Sequence, residues 1–195
     1  MAAYSETVLC NMALAKIGAK RINSFDNDTS VEAIQCKTHY SQVRDSLLRS
    51  YVWHFASGRA ELSEDTVKPS FRFAHQYILP SDFLRLVEVY RHNDYMLEGH
   101  RILTNHDTCK IEYIRRVTDC SEFNPGFVSA LTLALAIELT SALAGVGAGA
   151  SLRDRLSSDL ARTLYRVRLV DASEDDTSSH HVTWLQSRHM NIGGR

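Results

Sequence analysis

The chain has 195 residues, of which 44% are hydrophobic and 23% are charged. This composition is typical of a globular protein that buries a core of its own, and it excludes a disordered or fibrous chain. The formal net charge is −1, which argues against a protein whose main task is to grip nucleic acid, because that task needs a clear excess of Lys and Arg.

Two helices are predicted in the first 57 residues. Ser5 can cap the first helix, and Gly18 stands where a left-handed stop is needed. The residues of this helix at helical spacing are Val8, Met12, Ala15 and Lys16. Thr29 and Glu32 have the spacing of a capping box, so we expect a second, long amphipathic helix that ends near Ala56. Its repeating residues are Cys36, Tyr40, Val43, Leu47, Tyr51 and Phe55.

The hydrophobic period changes between residues 58 and 118. Short runs rich in β-branched and aromatic residues predict strands at residues 84–89, 102–103 and 111–114. Turn signals separate these runs, so we expect consecutive strands to pair as antiparallel hairpins or a meander in one sheet. The turn signals lie at residues 69–70, 80–82, 93–94 and 105–107.

Two more helices are predicted after the strands. Pro125 suits the first position of a helix that is apolar around most of its circumference, and this helix should be the buried centre, with Leu131 in the core. Three glycines then predict a hinge and not a phosphate loop, because they follow a helix and no P-loop Lys follows them. They are Gly145, Gly147 and Gly149. A last amphipathic helix is predicted from Leu152, Leu156, Leu160, Leu164, Val167 and Val170.

The predicted fold class is therefore α+β and mainly α. We expect a four-helix bundle from residues 1–57 and 119–171, an inserted antiparallel β domain at residues 58–118, and an extended C-terminal arm at residues 172–195. The arm is polar and without period, so it cannot fold alone.

The motifs that resemble metal or catalytic sites are better interpreted as structural features. Residues 26–30 look like the opening of a calcium loop, but Val31 and Lys37 stand where Gly and Glu belong, so a turn before a helix is favoured. His180, His181 and His189 lack a zinc spacing. None of the Ser residues lies in a nucleophile elbow. We expect a non-enzymatic protein without cofactor or metal.

The cysteines and the chain start predict a protein made in the cytoplasm. The four thiols are widely scattered and are expected to be reduced and partly buried. They are Cys10, Cys36, Cys109 and Cys120. The first residues have neither the basic nor the apolar region of a secretory signal, and residues 130–139 are too short a stretch to cross a bilayer, so we expect no membrane span.

Two further groups leave alternatives open. The aromatic group can form a ligand groove or seal the seam between helices and sheet, and the seam is favoured. Its members are Trp53, Phe55, Phe71, Phe73 and Tyr77. Arg115 and Arg116 can contact phosphate or flank a strand end at the surface.

Several short strings of residues occur in one order along the chain. They include Ala13-Leu14-x-x-Ile17-Gly18, then Tyr40-x-x-x-Arg44-Asp45-x-Leu47-Leu48-Arg49-x-x-x-Trp53-x-Phe55-Ala56, then Tyr77-x-Leu79-Pro80-x-Asp82-x-Leu84-Arg85, and Tyr113-Ile114-x-Arg116-Val117-Thr118-Asp119. Over about residues 4–172, the chain resembles the tail tubular protein A family, the head-to-tail adaptors of short-tailed bacteriophages.

The resemblance implies a structural virion protein at the head–tail junction. Such a protein forms a dodecameric ring between the portal protein and the tail nozzle protein, and DNA passes transiently through its lumen during ejection. The family offers no catalytic residues, no cofactor and no membrane contact to carry over.

Site residues are predicted on this basis. The arm is expected to dock on the portal, because a Trp-Leu pair in a polar segment is typical of a contact that orders on binding, although the arm can instead fold back on its own helices. Its anchors are Trp184, Leu185, Arg188 and Met190. Tyr95 and Met96 are candidate contacts with a neighbouring subunit or the nozzle. Arg115 and Arg116 are candidate lumen or DNA contacts.

A helical nucleic-acid-binding or DNA-packaging module is the second interpretation. It would use Arg115 and Arg116 together with the arginines of the last helix, and it would shift DNA in a salt-dependent manner. Those arginines are Arg153, Arg155, Arg162, Arg166 and Arg168. An uncharacterised hydrolase is a third interpretation, which an activity screen with a chelator control would test.

Overall fold

The computed structural model describes residues 4–91, 94–143 and 146–175. Two helices come first, α1 (Glu6–Lys16) and α2 (Val31–Ser50), and two come last, α3 (Pro125–Leu143) and α4 (Val146–Asp175). Six strands lie between them: β1 (Ser57–Glu61), β2 (His75–Ile78), β3 (Phe83–Val89), β4 (Tyr95–Glu98), β5 (Arg101–Thr104) and β6 (Lys110–Arg115). The fold class is α+β, as predicted.

Helix α1 begins and ends as predicted but buries a different face. The Ser5 hydroxyl accepts the Val8 N–H at 3.3 Å, and Gly18 has a φ of 69° that any other residue would adopt less easily. Val8 and Met12, the large apolar residues that the sequence places at helical spacing, are exposed. The buried residues are Leu9, Cys10, Ala13 and Leu14. Apolar residues surround most of this helix, so either the face with Val8 and Met12 or the face with Leu9 and Ala13 could be buried. Packing against α3 buries the second face.

Helix α2 differs from its prediction at both ends. Ser30 caps it by accepting the Ala33 N–H at 3.3 Å, whereas Thr29 was predicted to do so. The helix ends at Ser50 and not near Ala56. The indole N–H of Trp53 donates to the Leu47 carbonyl at 3.0 Å, which satisfies one of the carbonyls that a helix end leaves without a partner. The chain after Ser50 is therefore free to turn back toward α3.

The strands form two three-stranded antiparallel sheets, where one sheet was predicted. Their orders are β1-β6-β3 and β2-β5-β4, so only β4 and β5 pair as consecutive strands. The predicted runs lie in β3, β5 and β6, while β1, β2 and β4 were not predicted. We call residues 57–115, which hold all six strands, the β lobe. All four strand pairs are antiparallel, but only β4 and β5 form the predicted hairpin of consecutive strands, whereas the other three pairs join strands distant in sequence.

Two hydrophobic cores organise the chain. The main core contains the buried faces of the helices, and α3 packs against α1, α2 and α4 with Leu131 fully buried. The second core lies between the two sheets and includes Tyr77 and Ile102. Strand β6 joins them, because Ile111 belongs to the second core and Ile114 to the main core. The β lobe is thus fixed to the helices through β6, and Leu84 of β3 also packs against the main core.

Helix α3 explains a membrane-like signal in the sequence. Within the described residues, it is the one helix long and apolar enough to cross a bilayer, and 61% of its most apolar window is buried inside the protein. The helix begins at Pro125, as predicted. The side-chain Oδ1 of Asn124 accepts a hydrogen bond from the Phe127 N–H at 2.7 Å. This burial is what a core helix shows.

Helix α4 is longer than predicted at both ends. It begins at Val146, so Gly147 and Gly149 are helical and do not form part of a hinge, while Gly145 lies outside the described residues. It continues to Asp175, four residues beyond the predicted end at residue 171. The polar composition that suggested an arm from residue 172 therefore begins inside the helix.

Candidate interaction surfaces

The predicted docking arm lies outside the described residues from residue 176 onward. Its anchors Trp184, Leu185, Arg188 and Met190 lie outside the described residues, as do His180, His181 and His189. The portal contact of this arm stays a prediction from the sequence. The surfaces described below belong to the helices and the β lobe.

Arg115 and Arg116 are engaged in contacts within the chain. The Arg115 guanidinium donates to the Phe55 carbonyl oxygen at 3.1 Å and also pairs with the Glu122 carboxylate. The Nε of Arg116 lies 2.8 Å from an oxygen of Asp45 in α2. These contacts tie the end of β6 to the helices. They favour the surface interpretation over a role in binding phosphate.

The Asp45 carboxylate pairs with two arginines where the end of β6 meets α2. One of its oxygens accepts from the Nε of Arg44 at 2.9 Å, and the other pairs with Arg116. Arg44 is almost fully buried, so its charge needs a partner of opposite sign close by. The shared carboxylate therefore neutralises a buried cation and fastens the β lobe to α2 with the same group.

The segment that resembled a calcium loop is a turn before a helix, as predicted. The Asp28 carboxylate accepts the N–H groups of Asn23 and Ser30, both at 2.8 Å. These hydrogen bonds lower the pKa of Asp28 to about 2. The Lys37 ammonium donates to the carbonyls of Asp26 and Asp28 at 2.8 and 3.0 Å. A side-chain cation thus binds the loop carbonyls.

The aromatic residues do not form one cluster. Trp53 and Phe55 pack edge to face on Phe127 in the main core, with ring centroids 5.1 and 5.2 Å away, which agrees with the predicted seam. Phe73 and Tyr77 are buried in the β lobe instead. Phe71 is 81% exposed, so for it the prediction of a buried seam residue is wrong.

Tyr95 and Met96 lie on opposite faces of β4. Side chains alternate along a strand, so Tyr95 shares its face with Leu97 and not with Met96. Tyr95 is 37% exposed and Leu97 is 48% exposed, while Met96 is half-buried. The prediction of Tyr95 and Met96 as a pair is therefore wrong in its second member, and Leu97 was missed. Recognising residues 95–98 as a strand would have paired Tyr95 with Leu97.

The last helix carries an exposed basic face. All five of its arginines between residues 153 and 168 are exposed. Arg155, Arg162 and Arg166 recur at spacings that place them in one row along the helix, about a quarter turn from the buried Leu156, and Asp159 lies in the same row. Arg162 lies 3.6 Å from Asp159, and the Arg168 guanidinium lies 5.3 Å from the Tyr51 ring centroid.

The four cysteines are buried free thiols. Burial raises the pKa of Cys109 to about 11, and burial also raises the pKa of Cys120, whose sulfur lies 3.4 Å from the Tyr40 hydroxyl. A hydrogen bond with Cys36, together with burial, raises the pKa of Cys10. None of the four forms a disulfide, as predicted. Across the described ranges, no group of three or more His, Cys, Asp or Glu side chains is arranged to hold a metal ion.

Comparison with known proteins adds no relative. A search against models of protein families finds no match to the sequence, and a comparison with curated proteins finds no significant match.

Proposed function

We propose that the chain is a structural virion protein, a head-to-tail adaptor that forms a ring between the portal and the tail nozzle and lets DNA pass. The observation that carries this proposal is the ordered series of strings over about residues 4–172. They fall in α1, α2, the β lobe and the segment leading to α3, in the same order as in the adaptor family that they resemble.

The proposed architecture of the subunit is a four-helix bundle with an inserted β domain and an extended C-terminal arm. In favour of the bundle, α3 packs against each of the other helices. In favour of the insertion, all strands lie between α2 and α3. The arm would carry the portal contact through Trp184 and Leu185, since a polar segment with few apolar anchors gains order only when it binds.

Exposed apolar side chains support assembly into a larger particle. The β lobe and α4 both present large apolar residues to solvent, which is common where proteins contact one another. Those in the β lobe are Val67, Phe71, Ile78, Val87, Tyr90, Tyr95 and Leu97, and those on α4 are Tyr165, Leu169 and Val170. A closed ring needs two different complementary surfaces on each subunit, and these patches supply more than one.

The charge of the chain suits a passage for DNA. A net charge of −1 provides little attraction for the phosphate backbone, so DNA would move through without being held. Because Arg115 and Arg116 are paired with Glu122 and Asp45, the proposal treats their contact with DNA as transient and does not depend on it.

Co-sedimentation tests the adaptor role. Purified protein would be mixed with DNA-filled phage heads that carry the portal but no tail, and separately with heads that lack the portal. The protein should sediment with the first heads only, at a fixed ratio to the portal. Equal binding to both, or to neither, would refute the adaptor role.

A nucleic-acid-binding module is the second candidate, and the exposed basic face of α4 favours it. This function predicts that the protein shifts DNA in a gel and that the shift weakens steeply between roughly 50 and 200 mM salt. Replacing Arg155, Arg162 and Arg166 with Ala should abolish the shift. A control with the same change of charge replaces three exposed arginines of the β lobe, namely Arg59, Arg72 and Arg91.

A further inference from the structure

We infer that Phe71 of one copy seats against Tyr95 and Leu97 of a second copy, which forms a head-to-tail contact between β lobes. This contact rests on the ring assembly proposed above and names the two surfaces that meet. We call the turn at residues 71–73 the knob and the side chains of Tyr95 and Leu97 the edge face.

The knob is a strained turn that presents an aromatic ring to solvent. The Phe73 N–H donates to the Phe71 carbonyl at 2.9 Å, and Arg72 between them has a φ of 72°. This three-residue turn is rare and costly for a residue other than Gly. Phe73 is buried and anchors one side of the turn, while Phe71 is 81% exposed on the other.

Hydrogen bonds fix the loop that carries the knob. The Asp65 carboxylate accepts the Val67 N–H at 3.2 Å and pairs with the Nε of Arg101 in β5 at 2.6 Å. At the other end, the Ala74 N–H donates to the Asn105 side-chain oxygen at 3.0 Å. The loop is fastened before and after Phe71, so the ring is held outward in advance of any partner, which lowers the entropy lost on binding.

The edge face lies on the side of its sheet that faces the second core, but outside that core. Tyr95 is in register with Thr104, and Leu97 is in register with Ile102; both partners in β5 are fully buried. Tyr95 and Leu97 themselves remain exposed because β4 is the last strand of its sheet. The edge face is therefore an uncovered extension of the surface that elsewhere packs against the other sheet.

The two surfaces lie on opposite sides of one sheet. The loop with the knob and the Met96 side chain line one cleft of about 380 Å³. Met96 points to the opposite face from Tyr95 and Leu97 because the side chains of β4 alternate. A knob on one side and an edge face on the other suit a contact between successive copies, as a ring requires.

Charge also favours this pairing. Arg72 within the knob and Lys68 in the loop before it are both exposed. The edge face is bordered by acidic groups, since Glu64 and the exposed Asp107 lie 2.7 and 3.3 Å from His75, which aligns across β5 with Tyr95. Basic residues around the knob and acidic residues around the edge face would steer two copies into the head-to-tail orientation.

Disulfide trapping tests the contact directly. Full-length Phe71→Cys protein would be mixed with Leu97→Cys protein and treated with copper phenanthroline as oxidant. The mixture should give a cross-linked pair that forms well above the level of a Val31→Cys and Leu97→Cys mixture, whose first site is 62% exposed on α2. The four native thiols are buried and contribute little background.

Assembly of single variants separates this contact from the adaptor role. Phe71→Ser should reduce formation of the subunit ring. Its melting temperature should be unchanged, because the Phe71 side chain is exposed. Val31→Ser should assemble like the wild type. If rings form on the portal with Phe71→Ser unimpaired and cross-linking at control level, the contact is overturned and the adaptor role stands. If the wild type stays a single copy alone and with portal, both are overturned. Cross-linking without portal binding supports the contact and overturns the adaptor role.

Discussion

Truncating Leu131 should cost a large part of the stability of the protein. This side chain lies in the middle of α3 and has no exposed surface. Leu131→Ala leaves a cavity where α3 meets its neighbouring helices, and such changes cost about 2–5 kcal/mol. Against a total free energy of unfolding of about 5–15 kcal/mol, the loss should lower Tm by about 4–20 °C for a chain of this length.

Urea unfolding followed by circular dichroism at 222 nm measures this change. The matched control is Leu169→Ala on α4, where the same atoms are removed from a side chain that is 55% exposed, and its effect should stay within about 0.5 kcal/mol. Leu131→Asp should give no soluble folded protein, because an unpaired buried charge costs several kcal/mol. Equal losses for Leu131→Ala and Leu169→Ala, or a soluble Leu131→Asp with unchanged Tm, would refute the placement of α3 in the core.

Three further outcomes are expected. Because the folded pKa of Asp28 is about 2, below the usual 3.8, its carboxylate stabilises the fold above about pH 4 and this stabilisation is lost as pH falls toward 2; Asp28→Asn should weaken the protein to urea at pH 7 and match wild type near pH 2. Thiol titration with a disulfide reagent at pH 8 should find the cysteines, Cys109 included, unreactive until guanidinium unfolds the chain; rapid reaction of native protein would contradict their burial. Deleting residues 176–195, which keeps α4 whole, should preserve Tm and abolish attachment to portal-bearing heads; undiminished attachment would exclude the arm as the docking element.

The elements that the sequence predicted well are those with a strong local signal. Helix α3 is apolar on nearly all sides and begins at Pro125 behind a capping Asn124, so both its start and its burial could be predicted. The cores of β3, β5 and β6 are rich in β-branched and aromatic residues, and each run was predicted as a strand. In these segments, propensity, hydrophobic pattern and tertiary packing all agree.

The elements that were missed depend on distant partners. Strand β1 has the sequence Ser-Gly-Arg-Ala-Glu, which carries no strand signal, and it exists because β6 pairs with it, with Ala60 opposite Ile111. The early end of α2 likewise depends on Trp53, whose ring packs on Phe127 far along the chain. Neither cause is visible in a local window of sequence.

The candidate surfaces show the same limit. Exposure of Tyr95 was predicted correctly, but its true companion Leu97 follows from strand alternation that the sequence analysis did not recognise. The basic pair Arg115 and Arg116 could be found, whereas their acidic partners lie 7 and 71 residues away. Predicting whether a charge is free requires the fold, because ion pairs form between elements.

The mass of the purified protein, alone and after mixing with the portal protein of the same phage, tests the central claim most directly. Light scattering coupled to size exclusion gives this mass in solution. The adaptor role predicts that the portal complex gains the mass of a ring of subunits, twelve if the resemblance holds in full. A portal whose mass is unchanged by an excess of this protein would contradict the account.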